Sequence, residues 1–163
     1  MVSKRLIREA GHRRKFLTVI DDTPECERAV AYAARRAKNT NGVVVLLYVI
    51  EPSDFQHWLG VEKIMREEAT AAAKAALDAI ASQVRERDGI EPELVIREGA
   101  AATEIHKLIE EDQDIAILVL AAGGAKEGPG PLVASIAGKA AAFPIPVTVV
   151  PYNLTDEDID SLA

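Results

Sequence analysis

The fold of this chain is decided by residues 115–124, which read IAILVLAAGG. A continuous apolar run that ends in small residues and glycines is typical of a parallel strand covered on both faces. A glycine-proline loop over residues 128–131 follows, and a helix is predicted to begin at Ser135. At the carboxyl end of a parallel strand, free backbone N–H groups and the dipole of the next helix attract anions. The stretch therefore predicts a parallel sheet with an anion site at its edge.

The rest of the chain repeats this alternation of strand and helix. Apolar runs predict four further strands, over residues 16–20, 43–50, 93–96 and 147–150. Helical periodicity predicts helices between them, over residues 25–38, 62–87, 101–111 and 135–142. The alternation implies right-handed crossovers and a doubly wound parallel sheet. The predicted fold class is therefore α/β, with helices on both faces of one sheet.

Three of the predicted helices have a clear apolar face. The first is expected to begin at Thr23-Pro24, because threonine caps a helix and proline suits its first position. Its inward face is predicted to contain Cys26, Ala29, Val30, Ala33, Ala34 and Ala37. The inward residues predicted for the second helix are Met65, Ala69, Ala72, Ala76, Leu77, Ile80 and Val84, and those for the third are Ile105, Leu108 and Ile109.

The composition limits the classes of function. At 163 residues the chain is expected to form one domain with a sizeable core. The net charge of −7 and the 4% aromatic content argue against a nucleic-acid partner, which needs a basic face or stacking aromatics. No apolar run reaches membrane-spanning length and no signal peptide is evident, while the single Cys26 suits a reducing compartment. A cytoplasmic protein with no membrane partner is the expectation.

Charge is distributed unevenly between the two ends. Basic residues are concentrated in residues 1–14 and acidic residues in 152–163, on either side of a predicted domain over 15–151. The basic segment is expected to be a solvated, partly disordered arm, the alternative being an arm that pairs with the acidic tail of a second subunit. The tail carries a helix-start signature at Thr155 and predicts a short terminal helix.

Two acidic residues, Asp21 and Asp22, directly follow the first strand. In an open parallel sheet, ligands bind outside the carboxyl ends of the strands, where the strand order reverses. A carboxylate at that point can accept a ribose hydroxyl or hold a metal-bound phosphate. Both residues can equally form a turn with Thr23 and cap the next helix. The residues alone leave the two interpretations open.

The loop over residues 121–135 is the candidate phosphate site. Its glycines permit close backbone approach, and Ser135 offers a hydroxyl and an N–H at the predicted helix start. The loop lacks the Gly-Lys-Ser/Thr ending of a Walker A loop and the spacing of the dinucleotide fingerprint. A flexible glycine-proline connector is the alternative interpretation.

Little in the residues supports an enzyme. The three histidines, His12, His57 and His106, have no metal-ligand spacing, and no serine or cysteine lies in a nucleophile motif. The loop over residues 52–60, which contains His57 and Trp58, is long enough to act as a flap over a ligand. We therefore expect a binding protein with no catalytic residues and no metal site.

Taken together, the motifs resemble the universal stress protein family. The resemblance is carried by VIDDTPE at residues 19–25, YVIEP at residues 48–52 and the glycine loop after the fourth strand, and it covers residues 15–151. It implies a Rossmann-like three-layer sandwich of the adenine nucleotide alpha hydrolase-like type, with five parallel strands in the order 3-2-1-4-5. It also implies a homodimer formed through edge strand five, from Val147 to Val150.

One branch of this family binds ATP through a loop of fixed spacing: glycine, two residues, glycine, nine residues, then glycine and serine or threonine. In this register Ala121 takes the first glycine position, Gly124 the second and Ala134 the third, followed by Ser135. An alanine at either position would cost about 1 kcal/mol or more if the backbone there needs a positive φ. The loop also contains Glu127, an unfavourable charge beside a polyphosphate.

The resemblance further implies the contacts of a bound ligand, which would be ATP or another adenine nucleotide, with or without Mg²⁺. The ligand would lie between strands one and four. Its ribose would meet Asp21 and its adenine the Val49 main chain, with Leu120 beside the base or ribose. The phosphates would lie along the loop and contact Ala121, Gly124, Ser135 and Ile136.

The function implied by the resemblance is stress-response binding and signalling by a cytoplasmic homodimer with unspecified protein partners. One alternative is a structural or interaction dimer without a ligand, which the two alanines in the loop would fit. The other is a weak metal-dependent nucleotide hydrolase that uses Asp21 or Asp22 to position the metal.

Overall fold

The computed structural model describes residues 3–52, 59–124, 128, 130–138 and 142–163. Its strands are β1 (Lys15–Ile20), β2 (Val43–Ile50), β3 (Glu93–Glu98), β4 (Ile115–Ala122) and β5 (Val147–Pro151). Its helices are α1 (Cys26–Asn39), α2 (Leu59–Asp88), α3 (Ala101–Glu111), α4 (Pro131–Ala137) and α5 (Asp156–Leu162). All five predicted strands and four predicted helices are present, with ends that differ by a few residues.

The five strands form one parallel sheet in the order β3-β2-β1-β4-β5. Two cores cover its faces. One contains Phe16 and Ile20 of β1 with the alanine face of α1 and residues of α2, and the other contains Leu17 and Val19 with residues of α3 and α4. This confirms the predicted three-layer α/β sandwich and its strand order.

The inward faces of α1 and α3 are confirmed, since all of their predicted core residues are buried. On α2 the prediction is wrong at Ala72, which is exposed, whereas Ala73 and Ala81 are fully buried. The prediction treated α2 as packed along its whole length. Instead, Ala69 and Ala72 line a cavity at the carboxyl edge of the sheet.

Two helix starts differ from the prediction. At α1, Cys26 donates its N–H to the Thr23 carbonyl at 3.3 Å, so Thr23-Pro24 form a turn, and the helix proper begins at Cys26. At α4, the helix begins at Pro131 and ends at Ala137 instead of spanning residues 135–142. The reason is local, because Gly130 has φ +91° at the cap position and proline suits the first helical position.

The basic N-terminal segment is not a solvated arm, which corrects the expectation. Arg5 donates hydrogen bonds from Nη1 to three carbonyl oxygens at the end of α3 and the start of β4, those of Ile109 at 2.7 Å and of Asp112 and Ile115 at 3.2 Å. His12 Nδ1 lies 2.7 Å from Asp114 Oδ1. A cation suits the negative carboxyl end of a helix, so this segment closes α3 and is part of the domain.

The acidic C-terminal tail packs against the rest of the same chain. Thr155 begins α5 with a capping box, which confirms the predicted terminal helix. Ile159 is buried, and Asp156 and Asp160 form ion pairs with Arg28 and Arg35 of α1. The tail therefore finds its basic partners on α1 of the same molecule.

We predict that Arg5→Ala lowers the free energy of unfolding by about 1–3 kcal/mol, because three carbonyl groups lose a charged donor. Urea denaturation measures the change. Arg8→Ala is the matched control, since Arg8 is exposed and has no hydrogen bond within the described part of the chain. A change of less than about 0.5 kcal/mol is expected for the control. Equal stability of the two variants would contradict the role given to Arg5.

Candidate functional site

Two adjoining cavities lie at the carboxyl edge of the sheet. The larger, with a volume of about 350 Å³, lies over the ends of β1 and β2. The smaller, about 70 Å³, lies between the ends of β1 and β4. The two are contiguous, since both are lined by Val19, Asp21, Pro131 and Leu132. The ligand site was expected between strands one and four. Most of the observed space lies instead above β2, which is on the other side of β1 from β4.

The carboxylate of Asp21 lies where the two cavities meet. Its Oδ1 accepts hydrogen bonds from the backbone N–H of Thr23, at 2.9 Å, and from the Thr23 hydroxyl. Within the described part of the chain, Oδ2 has no hydrogen bond. One oxygen thus forms the predicted turn, and the other remains available as an acceptor on a residue that lines both cavities. The two interpretations of Asp21 are compatible, because they involve different oxygens.

Besides the end of β1, four elements contribute to the walls of the larger cavity. The end of β2 contributes residues 48–51, including Val49 as predicted, and α2 contributes the small side chains of Ala69 and Ala72. Ala101 begins α3, and Leu132 lies in the first turn of α4. These alanines of α2 and α3 were not identified from the sequence as cavity residues. The one signal for them is that alanine is frequent at positions where a packed helix would need larger side chains.

The smaller cavity contains the only cysteine. Its wall includes Glu25, Cys26, Leu120 and Ala121. The Cys26 thiol is buried and lies 3.6 Å from the Val19 carbonyl oxygen, which confirms that it is a core residue. The pKa of this thiol is raised to about 11, mainly by burial. The charges of Asp21, Glu27 and Glu25 also raise it, and a backbone hydrogen bond at Asp21 lowers it.

Glycine is required in the loop at positions other than those of the family motif. Gly128 and Gly130 have φ values of +73° and +91°, which L-residues rarely adopt. A Cβ at Gly123 would lie 2.7 Å from the Gly128 carbonyl oxygen. Ala121 lies in β4 and Ala134 in α4, and within the described residues Asn41 is the only non-glycine with positive φ. The cost expected for the two alanines is therefore not incurred.

Four of the seven residues predicted for the site line the cavities, namely Asp21, Val49, Leu120 and Ala121. The others do not. Gly124 lies beside Tyr152, and the Ile136 side chain is buried in the core. Ser135 is exposed in the second turn of α4, so the expected helix-start N–H at Ser135 is wrong because the helix begins at Pro131.

Several further expectations concern residues that do not line the two cavities or whose position the structure does not describe. His57 and Trp58 of the proposed flap and Glu127 of the loop lie outside the described residues. His12 pairs with Asp114, and the His106 ring packs against Phe143 in a tilted arrangement with 5.0 Å between the ring centroids. Within the described ranges, no group of three or more His, Cys, Asp or Glu side chains is arranged to hold a metal ion.

A family model for the universal stress protein family matches residues 12–151. The chain belongs to this family. The match includes β1 to β5 and begins at His12, so the residue that pairs with Asp114 lies inside the family domain. No curated protein sequence matches the chain significantly. None of the helices in the described part of the chain is long and apolar enough to cross a membrane.

Solved structures of this family share the fold. The universal stress protein UspA from Lactobacillus plantarum has a TM-score of 0.71 at 19% identity, over 85% of this chain and 98% of that one. A universal stress protein in complex with cAMP has a TM-score of 0.61 at 15% identity, over 86% and 98%. One from Archaeoglobus fulgidus in complex with dAMP has a TM-score of 0.58 at 18% identity, over 84% and 97%.

We predict that Cys26 reacts slowly with iodoacetamide in the folded protein. A pKa of about 11 instead of 9.0 leaves about a hundredfold less thiolate near pH 8. The folded-state rate should rise until pH 11, whereas the urea-unfolded control should level off near pH 9. The raised pKa favours the folded state below pH 9, and this contribution is lost as the pH rises through 11. A folded-state rate that levels off near pH 9 would contradict the assignment.

Proposed function

We propose that this universal stress protein binds an adenine nucleotide in the larger cavity at the carboxyl ends of β1 and β2. The observation that carries the proposal is a volume of about 350 Å³ with a carboxylate acceptor, Asp21, on one wall and the end of β2 on the other. This size is within the range of small-molecule sites, and the position is the ligand-binding edge of a doubly wound sheet. Relatives of the same fold in complex with cAMP and dAMP support the choice of ligand class.

The chemistry of the walls suits a nucleoside. In this proposal the free Oδ2 of Asp21 accepts a ribose hydroxyl, because a carboxylate oxygen is a strong acceptor for that donor. Adenine lies against the Val49 main chain, between the small side chains of Ala69 and Ala101. A flat base needs such a shallow apolar wall with backbone donors and acceptors beside it. ATP with Mg²⁺ is one member of this ligand class, and the proposal covers the class.

We propose binding and signalling without turnover. The described cavity walls contain carboxylates, apolar groups, Thr23 and Tyr48 but no histidine. The buried Cys26 has a raised pKa that disfavours its thiolate. The single free thiol also fits a reducing compartment, so we place the protein in the cytoplasm.

We also propose a homodimer that pairs through β5. This strand is an edge of the sheet, and its Val149 is 44% exposed beside the exposed Tyr152. An uncovered apolar edge strand favours pairing with another strand, and a second copy of β5 supplies one. A two-fold pair of identical strands runs antiparallel, so the two nucleotide cavities of such a dimer would lie at opposite edges of the continuous sheet.

We predict that Asp21→Ala weakens AMP binding about tenfold or more in isothermal titration calorimetry, because the ribose loses its charged acceptor. Thr23→Val is the matched control, since it also removes the side-chain hydrogen bond to Asp21 but leaves the Oδ2 acceptor in place. We expect the control to bind within about twofold of the native protein. Native protein that binds no adenine nucleotide or nucleoside would refute the proposed function.

We predict that Val149→Lys converts the dimer to a monomer in light scattering coupled to size-exclusion chromatography. A lysine on an edge strand opposes strand pairing because its charge would be buried. Val61→Lys is the control, because Val61 is similarly exposed, at 40%, but lies on α2. A native protein that is monomeric at high micromolar concentration would rule out the β5 dimer.

A further inference from the structure

The part of the site that would receive phosphates has a negatively charged wall. Asp21 and Glu25 line the smaller cavity, and Asp21, Asp22 and Glu51 line the larger. Within the described part of the chain, no lysine or arginine lines either cavity. Polyphosphate sites depend on basic side chains or on many backbone N–H groups to balance their charge. Here the charged side chains that are described in the cavity walls are all acidic.

The position of Glu25 is restricted by the glycine loop. The Oε1 atom of Glu25 lies 3.1 Å from where a Cβ at Gly123 would be, and the Gly128 carbonyl oxygen lies 2.7 Å from the same point. The carboxylate thus lies against the backbone of the loop, in the wall of the smaller cavity. Within the described residues it has no hydrogen bond or ion pair, so no cation of the protein there neutralises it.

The backbone offers little to offset this charge. The first residue of α4, Pro131, has no N–H, and Ala134 donates its N–H to the Gly130 carbonyl at 2.9 Å. Only Leu132 and Val133 remain as first-turn donors, on a helix of seven residues. The smaller cavity also has only about a fifth of the volume of the larger, 70 Å³ against 350 Å³. Charge and space both limit what can follow the ribose.

The pKa of the Cys26 thiol is consistent with this negative charge. The thiol lines the same small cavity, and the charges of Asp21, Glu27 and Glu25 all raise its pKa, in addition to the larger effect of burial. An anion placed in this cavity would meet the same negative charges that disfavour the thiolate.

On this basis, and resting on the proposed adenine-nucleotide function, we propose that the site selects adenine nucleosides and monophosphates over triphosphates. The structure assigns Glu25 as the specificity-determining residue. Its carboxylate repels the β- and γ-phosphates where they would turn toward the loop, while the uncharged base and ribose occupy the larger cavity. Glu25 has no role in holding the base, since it does not line that cavity.

The test is calorimetric titration of the full chain with adenosine, AMP, ADP and ATP in EDTA, so that no divalent cation masks the phosphate charge. The native protein should bind adenosine at least about tenfold more tightly than ATP, with AMP and ADP between them. Glu25→Gln keeps the size of the side chain and removes its charge. It should tighten ATP binding about fivefold to tenfold and leave adenosine binding within about twofold.

Glu27→Gln is the matched control, because it makes the same change of net charge two residues away on α1 without lining either cavity. Because Glu27 lines neither cavity, it should change the ratio of ATP to adenosine affinity clearly less than Glu25→Gln does. Glu25→Ala, with its fold verified by circular dichroism, provides a second variant and should act in the same direction as Glu25→Gln.

The outcomes separate the two proposals. Adenosine that binds tightly while ATP binds equally well would overturn the selection and leave the adenine site intact. Equal effects of Glu25→Gln and Glu27→Gln would overturn the assignment of Glu25, because a general charge effect would then explain the result. Absence of binding by every ligand, adenosine included, would refute the proposed function and this inference with it.

Discussion

The burial of β1 on both edges and both faces is the constraint on which the rest of the structure depends. The strand pairs in parallel with β2 on one side and β4 on the other, and Phe16 and Leu17 point into opposite cores. A strand with no free edge cannot slip without disrupting two neighbours and two helical layers. Its end is therefore fixed, and Asp21 follows at the point where the chain leaves toward α1. The acceptor at the site is placed by the core.

The glycine loop illustrates how one backbone requirement can be met by different positions. The chain carries alanine at two positions where the ATP-binding motif implied by the resemblance has glycine, yet the observed backbone has no positive φ at either. Positive φ occurs instead at Gly128 and Gly130, directly before α4. This placement moves the start of α4 to Pro131 and takes Ser135 out of the first turn. The absence of the two motif glycines therefore causes no backbone strain at Ala121 or Ala134. What differs from the prediction is the residue at which α4 begins.

The sequence predicted the architecture well because the signals for it are local and redundant. Continuous apolar runs identify β2 and β4, and the alanine face of α1 follows from helical periodicity alone. The N-terminal segment was predicted poorly for a different reason. Arg5 is a charged residue whose partners, the carbonyl oxygens near residues 109–115, are about a hundred positions away, and no local pattern announces such a contact. The candidate site was predicted in part. Residues at the strand ends were identified, whereas the wall formed by α2 was missed.

That missed wall decides where a ligand can fit. Large side chains at Ala69 and Ala72 would close the space above β2, so the main cavity exists because α2 is lined with alanine next to the end of β2. The space between β1 and β4 is small for the opposite reason, because the loop backbone at Gly123 and Gly128 packs together beside Glu25. The larger cavity therefore has the room that the proposed base and ribose need, and the smaller one leaves little room for groups attached to them. The larger space thus depends on alanines outside the motifs that carry the family resemblance. The smaller space depends on the glycine loop and on Glu25, which is the last residue of the first of those motifs.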